Sequence, residues 1–389
     1  MKLPPSFSLY AYHIANDGLL TSLMLLPPFF VREFSLNLTQ VGILGGAANI
    51  LQIVFGIPAG LLAARMGGFW VLGVSLLLSS LGFFATSLAS SYPYLIGAFF
   101  ISGIGLSLFH PVAFSMVAKS GNTARRGAHM GDFTAVGDIG RITLASATPF
   151  LVTLLGWRMA SSFIGAIGIT TLLLFRVSRS PAPHLPSVLP HHAPLGLRYL
   201  ATHPRFILAV LTGALDNFAS CSLFIFLPFL LLMRGIDPSL LGAYAAVFFV
   251  GNLLGKTLIG RALDRYGMIR IFVLSEILMA IFVVILARAT APALIIAAAA
   301  LLGVFTKGTA PAVQTMITST VAHPHDIEKA FGLSSVLAGI ALTSAPPIFG
   351  ALSDAYGIVA SFYGMAAAAL IAVIPSFMLS YVKRRNLHP

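Results

Sequence analysis

The chain contains about twelve runs of roughly 20 apolar residues, and these runs constrain its fold more than any other feature. Each run is long enough to cross a bilayer as an α-helix, which satisfies its own backbone hydrogen bonds there. Hydrophobic residues make up 58% of the 389 residues and charged residues only 9%, which is typical of a membrane protein. We therefore predict an all-α membrane protein of twelve transmembrane helices. The predicted spans are 7–31, 41–64, 69–89, 92–118, 128–155, 157–176, 205–233, 239–262, 268–288, 290–320, 327–352 and 357–382.

The second half of the chain repeats the first at an offset of 200 residues. Glycines and prolines keep their register across this offset, which apolar composition alone would not produce. Duplication explains the repeat, so we predict two pseudo-symmetric six-helix halves. The N-terminal half is assigned to 1–176 and the C-terminal half to 205–389, with a Pro- and His-rich cytoplasmic linker at 177–204. The aligned pairs include Pro28 and Pro228, Gly42 and Gly242, Gly60 and Gly260, Arg65 and Arg265, Gly67 and Gly267, and Pro111 and Pro311.

Most of the 23 lysine and arginine residues fall in the termini and in alternate loops. By the positive-inside rule, this asymmetry predicts that both termini are cytoplasmic and that the basic face meets anionic lipid headgroups. We expect the protein in a bacterial cytoplasmic (inner) membrane. The net charge of +12 does not indicate nucleic-acid binding, because no soluble domain presents the basic residues. The single cysteine, Cys221, excludes a disulfide framework within the chain.

A basic turn between the second and third spans of the C-terminal half carries the most specific motif. It reads Gly260-x-x-x-Asp264-Arg265-x-Gly267-x-x-Arg270. With the two repeated halves and the linker, it resembles the major facilitator superfamily over essentially the whole chain. In that family the acidic residue of this turn helps to latch the cytoplasmic gate, so the resemblance implies gating roles for Asp264, Arg265 and Arg65. The N-terminal copy departs from the pattern, because Ala64 replaces the acid.

Two further segments are weakly similar to the fosmidomycin-resistance type of drug exporter within this superfamily. They are His13-x-x-Asn16-Asp17 in the first span and Gly103-x-Gly105-x-Ser107-x-Phe109-His110-Pro111 in the fourth. The fifth span departs from that type, because it carries Asp138 and Arg141. The resemblance implies efflux of small organic compounds.

Ionisable side chains inside a membrane span are costly, so each is a candidate functional residue. Asp17 and Asp216 lie at nearly equivalent depth in the first span of each half, beside the amides Asn16 and Asn217. A desolvated carboxyl can take a proton from one side and release it to the other. We therefore predict proton coupling by both aspartates and substrate contacts by both amides. The alternative is a pair of polar clusters that fix helix packing.

Two histidines lie near this predicted site. His13 precedes Asp17 by one helical turn, so it can relay a proton or hydrogen-bond the carboxylate. His110 can bind substrate or a neighbouring helix. His13, Asp17 and His110 are residue types that ligate metals, but we predict no metal site and no cofactor.

The remaining candidates within the spans are three cations, Arg141, Lys256 and Lys307, and the acidic Asp138. Asp138 and Arg141 are three residues apart and can pair within one helix. Either the pair is structural, or it opens, so that Asp138 joins the proton pathway and Arg141 holds an anion through two hydrogen bonds. Lys307 is predicted to contact an anionic substrate or the carboxylate of Asp216. Lys256 is expected to extend toward the cytoplasm.

These features predict a secondary active transporter that works by alternating access. Our first interpretation is a proton-coupled exporter, an antiporter of small organic compounds that are anionic or zwitterionic. The alternative is a proton-coupled importer of an organic anion or a metal–chelate complex. ATP is not the expected energy source, because no Walker-type loop is present. We expect no enzymatic activity, and we expect a monomer whose partners are its substrate, protons and membrane lipids.

Overall fold

The computed structural model describes residues 5–55, 58–120, 126–175, 200, 202–321 and 327–385. The side chains at 5, 64, 118–120, 126–132, 264, 307, 327–329 and 382–385 lie outside the described part. All regular elements within the described ranges are helical, which confirms the predicted all-α class.

The described residues form twelve membrane-spanning segments, numbered α1 to α12 in chain order. Several consist of consecutive helices separated by a kink. Segments α1 to α4 are Pro5–Leu25 with Pro27–Phe30; Leu38–Asn49 with Leu51–Phe55 and Pro58–Met66; Gly68–Ser87; and Tyr92–Ser120. The helix Arg126–Leu174 bends at Gly156 into α5, 126–155, and α6, 157–174. Segments α7 to α12 are Pro204–Ser220 with Leu223–Met233; Leu241–Tyr266; Met268–Arg288; Pro292–Gly308 with Ala310–Thr318; Ile327–Tyr356; and Ile358–Arg385.

Length and hydropathy alone identify ten membrane-spanning candidates among the described residues. One of these, Phe133–Leu174, contains both α5 and α6. The twelfth segment is α1, which is less apolar because His13, Asn16 and Asp17 interrupt it; all three are buried inside the protein. The polar residues that lower the hydropathy of α1 therefore face the bundle.

Four glycines mark the turn between the second and third helices of each three-helix unit. Gly67, Gly156, Gly267 and Gly357 have φ values of 92°, 77°, 86° and 84°. Side chains with a Cβ rarely adopt this region, so glycine permits the chain to reverse within a single residue. The turns at Gly67 and Gly267 lie at the end of the bundle that carries the basic loops, here called the basic end. The turns at Gly156 and Gly357 lie at the opposite end.

The two halves pack together most closely near the opposite end. A Cβ added to Gly42 of α2 would lie 2.2 Å from the Pro346 carbonyl oxygen of α11. A Cβ added to Gly242 of α8 would lie 2.4 Å from the Ser146 carbonyl oxygen of α5. Small residues permit this backbone approach where no hydrophobic force drives helices together in a membrane.

The repeat predicted from the sequence is therefore present as two six-helix halves. Predicted and observed spans agree to within several residues at most ends. The predicted division at 177–204 stays a prediction, because most of that linker lies outside the described residues.

Candidate functional site

A buried carboxylate in α1 lies at the centre of a charged cluster. The side chain of Asp17 is only 2% exposed. Its Oδ2 accepts hydrogen bonds from Nη2 of Arg141 at 2.8 Å and from Nε at 3.1 Å. His110 Nε2 lies 3.1 Å from Oδ1, and His13 Nε2 lies 3.4 Å from Oδ2. Three segments, α1, α4 and α5, thus bring their polar residues to one carboxylate.

Aromatic rings and a glycine hold His13 in place. Its ring stacks on Phe133 at a centroid distance of 4.0 Å and on Phe109 at 5.7 Å. A Cβ added to Gly137 of α5 would lie 2.7 Å from His13 Cε1 and 2.5 Å from Asp17 Oδ2. Glycine at 137 is therefore needed for α1 and α5 to approach with these side chains between them.

A second carboxylate extends the cluster to the C-terminal half. Asp138 Oδ1 lies 3.7 Å from Arg141 Nη1, which agrees with the predicted pair within α5. Lys256 Nζ of α8 lies 2.6 Å from Asp138 Oδ2. The expectation that Lys256 extends to the cytoplasm is wrong, because a fully buried carboxylate provides a closer partner than the membrane surface does.

The charges in this cluster balance and are unevenly exposed. With neutral histidines, Asp17 and Asp138 offset Arg141 and Lys256. The carboxylates are 2% and 0% exposed, whereas Arg141 is 18%, Lys256 17% and His110 30% exposed. The accessible edge of the cluster is therefore cationic, and the two carboxylates are buried behind that edge.

The predicted substrate contact of Asn16 stays a prediction, and in the structure its side chain bonds to Asp17. Asn16 is 0% exposed and donates from Nδ2 to Asp17 Oδ1 at 3.3 Å. Asn16 is thus placed to position the carboxylate. The accessible His110 side chain lies 3.1 Å from the same Asp17 oxygen on α1, and its predicted substrate contact stays a prediction.

In the C-terminal half, Asp216 of α7 is also buried, with 5% exposure. It accepts a hydrogen bond of 3.1 Å from Thr309 Oγ1, at the break between the two helices of α10. Asn217 donates to the Gly213 carbonyl oxygen at 2.8 Å. The side chain of Lys307 lies outside the described residues, so its predicted contact with Asp216 stays a prediction.

The predicted gating residues lie at the basic end. Arg65 lies one residue before the end of α2 and Arg265 one residue before the end of α8, and both are exposed. The Arg265 guanidinium lies 5.2 Å from the centroid of the Tyr266 ring. The Asp264 side chain is outside the described part of the chain, and the predicted latch stays a prediction.

The same cluster contains three residue types that bind metals. Ligand atoms of His13, Asp17 and His110 lie within 4.8 Å of one another. Arg141, however, already places its guanidinium on Asp17 Oδ2. A divalent cation would add charge directly beside that guanidinium in a poorly solvated site, so we assign no metal to these residues.

A model of the major facilitator superfamily matches residues 9–244 and 217–389, and together these cover nearly the whole chain. The chain belongs to the major facilitator superfamily. It is therefore an integral membrane transporter and not an enzyme. The narrower similarity to fosmidomycin-resistance exporters stays a prediction.

Curated relatives of this superfamily member are identical to it at about a quarter of the aligned residues. The "Uncharacterized MFS-type transporter YybF" of Bacillus subtilis (strain 168) is 26% identical over 289 residues, 72% of this chain and 69% of the relative. A "Putative metabolite transport protein" of Haemophilus influenzae is 26% identical over 307 residues, 73% of this chain and 74% of the relative.

Solved structures of transporters share the fold. A bacterial homolog of the human lysosomal transporter Spinster, inward-facing and unoccupied, superposes with a TM-score of 0.79 at 18% identity, covering 98% of both chains. A point mutant of the nucleoside transporter NupG gives a TM-score of 0.79 at 13% identity, covering 97% of this chain and 100% of its own. These likenesses support the fold alone.

Sequence reasoning missed Lys256 as a member of the site of this transporter. The signal available was its depth, since Lys256 is ten residues before the end of α8 at Tyr266. A lysine side chain extends over only about one or two turns of helix, and Lys256 lies deeper than that. Its depth was therefore better evidence that it stays within the membrane than its flexibility was that it reaches the cytoplasm.

Proposed function

We propose that the protein is a proton-coupled secondary transporter of small organic anions or zwitterions, and that Asp17 is its principal proton-binding group. The observation that supports this most is the cluster of Asp17, Arg141 and His110 within the membrane-spanning body. Ionisable groups at such depth are costly and mark ion or substrate pathways in membrane proteins.

Asp17 binds and releases the proton in the proposed cycle. In the deprotonated state its carboxylate holds Arg141 through two hydrogen bonds. A proton on Asp17 removes the charge that holds the guanidinium, and Arg141 then becomes available to a substrate anion. His110, the more exposed of the two histidines, passes the proton between solvent and Asp17 Oδ1, and His13 stabilises the carboxylate from the protein side.

We propose that the protein exports its substrate in exchange for protons, as the resemblance to drug exporters implies. One observation favours the second candidate, import of an organic anion together with a proton. The charges of Asp17, Asp138, Arg141 and Lys256 sum to zero, so a bound anion and a bound proton restore neutrality together. The sign of the proton flux separates these two candidates.

The remaining assignments are part of the same proposal. Asp216, with Asn217 and Lys307, forms the equivalent site in the C-terminal half. Asp264, Arg265 and Arg65 control opening at the basic end, which faces the cytoplasm of a bacterial cell. The protein acts in the cytoplasmic membrane as a monomer.

Proton flux in proteoliposomes tests the proposal. The purified protein is reconstituted with a pH-sensitive dye inside, and succinate, methylphosphonate, taurine or choline is added outside. Antiport predicts that a substrate makes the lumen more alkaline, and symport predicts that it makes the lumen more acidic. A matched control carries Asp237→Asn, because Asp237 lies in the exposed loop before α8 and bonds to Ser239. Transport of a solute without any proton signal would overturn the coupling.

A further inference from the structure

Lys256 is the contribution of the C-terminal half to a charged cluster that is otherwise built by the N-terminal half. Asp17, His110, Asp138 and Arg141 come from α1, α4 and α5. Among the described side chains of the cluster, Lys256 alone comes from α8, and it reaches Asp138 at 2.6 Å. The cluster therefore lies where the two halves meet.

The carboxylate of Asp138 shows what kind of ligand the two cations fit. Its Oδ2 contacts Lys256 Nζ at 2.6 Å, and its Oδ1 lies 3.7 Å from Arg141 Nη1. A carboxylate thus already bridges a cation of one half and a cation of the other. The two cations therefore lie close enough together for one carboxylate to bridge them.

Both cations remain reachable, whereas the carboxylate does not. Lys256 is 17% and Arg141 18% exposed, and Asp138 is completely buried. Arg141 has two acidic partners, but Lys256 has one described ion-pair partner. An anion that binds Lys256 therefore replaces a single contact there, and Asp138 keeps its contact with Arg141.

We propose that Lys256 and Arg141 form a clamp for the anionic group of the substrate, in which a carboxylate or phosphonate replaces Asp138 at Lys256 Nζ. This inference rests on the proposed function and adds a residue that determines substrate charge. Because the clamp joins α5 to α8, the bound anion draws the two halves together around it. Lys256 then selects substrates that carry a negative charge.

Thiol labelling tests the clamp without a known substrate. Cys221 is replaced by alanine, and His110→Cys places a thiol at the accessible edge of the cluster. The purified full-length protein reacts with an anionic reagent, sulfonatoethyl methanethiosulfonate, or with a cationic one, trimethylammonioethyl methanethiosulfonate. Rates are normalised to Ser90→Cys, an exposed loop position at the opposite end.

We expect the anionic reagent to be favoured about tenfold at His110→Cys, because a cationic edge concentrates anions. Lys256→Gln should reduce this ratio to one or below, since Asp138 and Asp17 then outnumber the remaining cation. Lys256→Arg should keep it. Arg288→Gln serves as the matched control, because Arg288 ends α9 and bonds to Tyr363 at 2.6 Å.

Three results would overturn the clamp. They are a ratio of one or less with Lys256 present, a ratio that Lys256→Gln leaves unchanged, and a thiol at 110 that neither reagent reaches. The labelling requires no transport. If labelling shows a cationic edge but the protein gives no proton flux, the anion site is supported and the proposed proton coupling is rejected.

Discussion

Asp354 at the end of α11 binds Thr39 at the start of α2, in the other half of the protein. Its Oδ2 accepts hydrogen bonds from the Thr39 backbone N at 2.8 Å and from Thr39 Oγ1 at 2.5 Å. Its Oδ1 accepts from the Leu38 backbone N at 2.8 Å. A negative charge at a helix N-terminus is favourable, because the first backbone N–H groups lack partners within the helix. This contact ties the halves together at the end opposite the basic one.

We expect Asp354→Asn to loosen that end of the protein. Loss of the charge weakens three hydrogen bonds, and about 1 kcal/mol would shift an equilibrium between closed and open forms about fivefold. Spin labels at Ser90 and Tyr356 report the distance between the halves by pulsed electron resonance. Asp237→Asn is the matched control, because Asp237 caps a turn within its own half. An unchanged distance distribution in Asp354→Asn would show that Asp354 does not hold the halves together at this end.

Asp17→Asn should abolish proton-driven accumulation of substrate and spare exchange of substrate across the membrane. The amide keeps the size of the carboxyl but cannot take up the proton. We expect the proton flux to fall at least about 100-fold, the lower end of what positioned proton-transfer groups contribute. Uphill transport at the normal rate by this variant would remove Asp17 from the coupling role.

Gly137→Ala should destabilise the protein by about 1–3 kcal/mol, because its Cβ would overlap Asp17 and His13. A fall in the thermal unfolding temperature measures this effect. Gly60→Ala is the control, because a Cβ there meets no atom within 4 Å. A helical alanine at 60 should be neutral or stabilising. Equal unfolding temperatures for both variants would show that α1 and α5 tolerate separation.

The Lys256–Asp138 pair can be tested by a double-mutant cycle. Lys256→Gln leaves Asp138 buried with only the longer contact to Arg141, so we expect a loss of about 3–5 kcal/mol in the free energy of unfolding. Asp138→Asn in the same chain removes the unpaired charge and should restore part of the loss. Additive effects of the two substitutions would mean that the residues do not interact.

Glu33, in the loop between α1 and α2, makes a contribution to the stability of the fold that depends on pH. Slight desolvation of this exposed carboxyl favours its protonated form, but hydrogen bonds from Trp157 at 2.8 Å and Arg158 at 3.0 Å hold the pKa of Glu33 below its usual value. A lowered pKa stabilises the fold above about pH 4.3, and that stabilisation is lost as the pH falls through the pKa of the folded protein.

Trp157 fluorescence measures this titration. In a Trp70→Phe background, we expect the emission to change with a midpoint below about pH 4.3, the usual value for glutamate. Glu33→Gln should remove the transition. A midpoint at or above the usual value would show that the hydrogen bonds do not persist in solution.

The sequence predicted most of the architecture because helices in a membrane follow rules that act on single segments. Runs of apolar residues indicated the spans, and the offset of 200 indicated the halves. Helical spacing also predicted the contacts of Asp17 with His13 and of Asp138 with Arg141, since residues three or four apart share a helix face.

Partners on different helices were not predictable in the same way. Nothing in the spacing shows that Arg141 binds Asp17 more closely than Asp138, because that preference depends on how α1 rotates against α5. The Lys256–Asp138 contact depends on the packing of one half against the other. Such contacts depend on the rotation of each helix about its axis and on the depth of each residue in the membrane. A single sequence specifies neither of these closely.

The single-residue turns at Gly67, Gly156, Gly267 and Gly357 leave no spare backbone between the helices that they join. An inserted residue or epitope tag there would push two packed helices out of register, whereas the longer connections can absorb it. The paired helices cannot slide past each other either. We therefore expect movement during transport to occur between the halves, where α2 packs on α11 and α5 packs on α8, with each pair of helices moving as one unit.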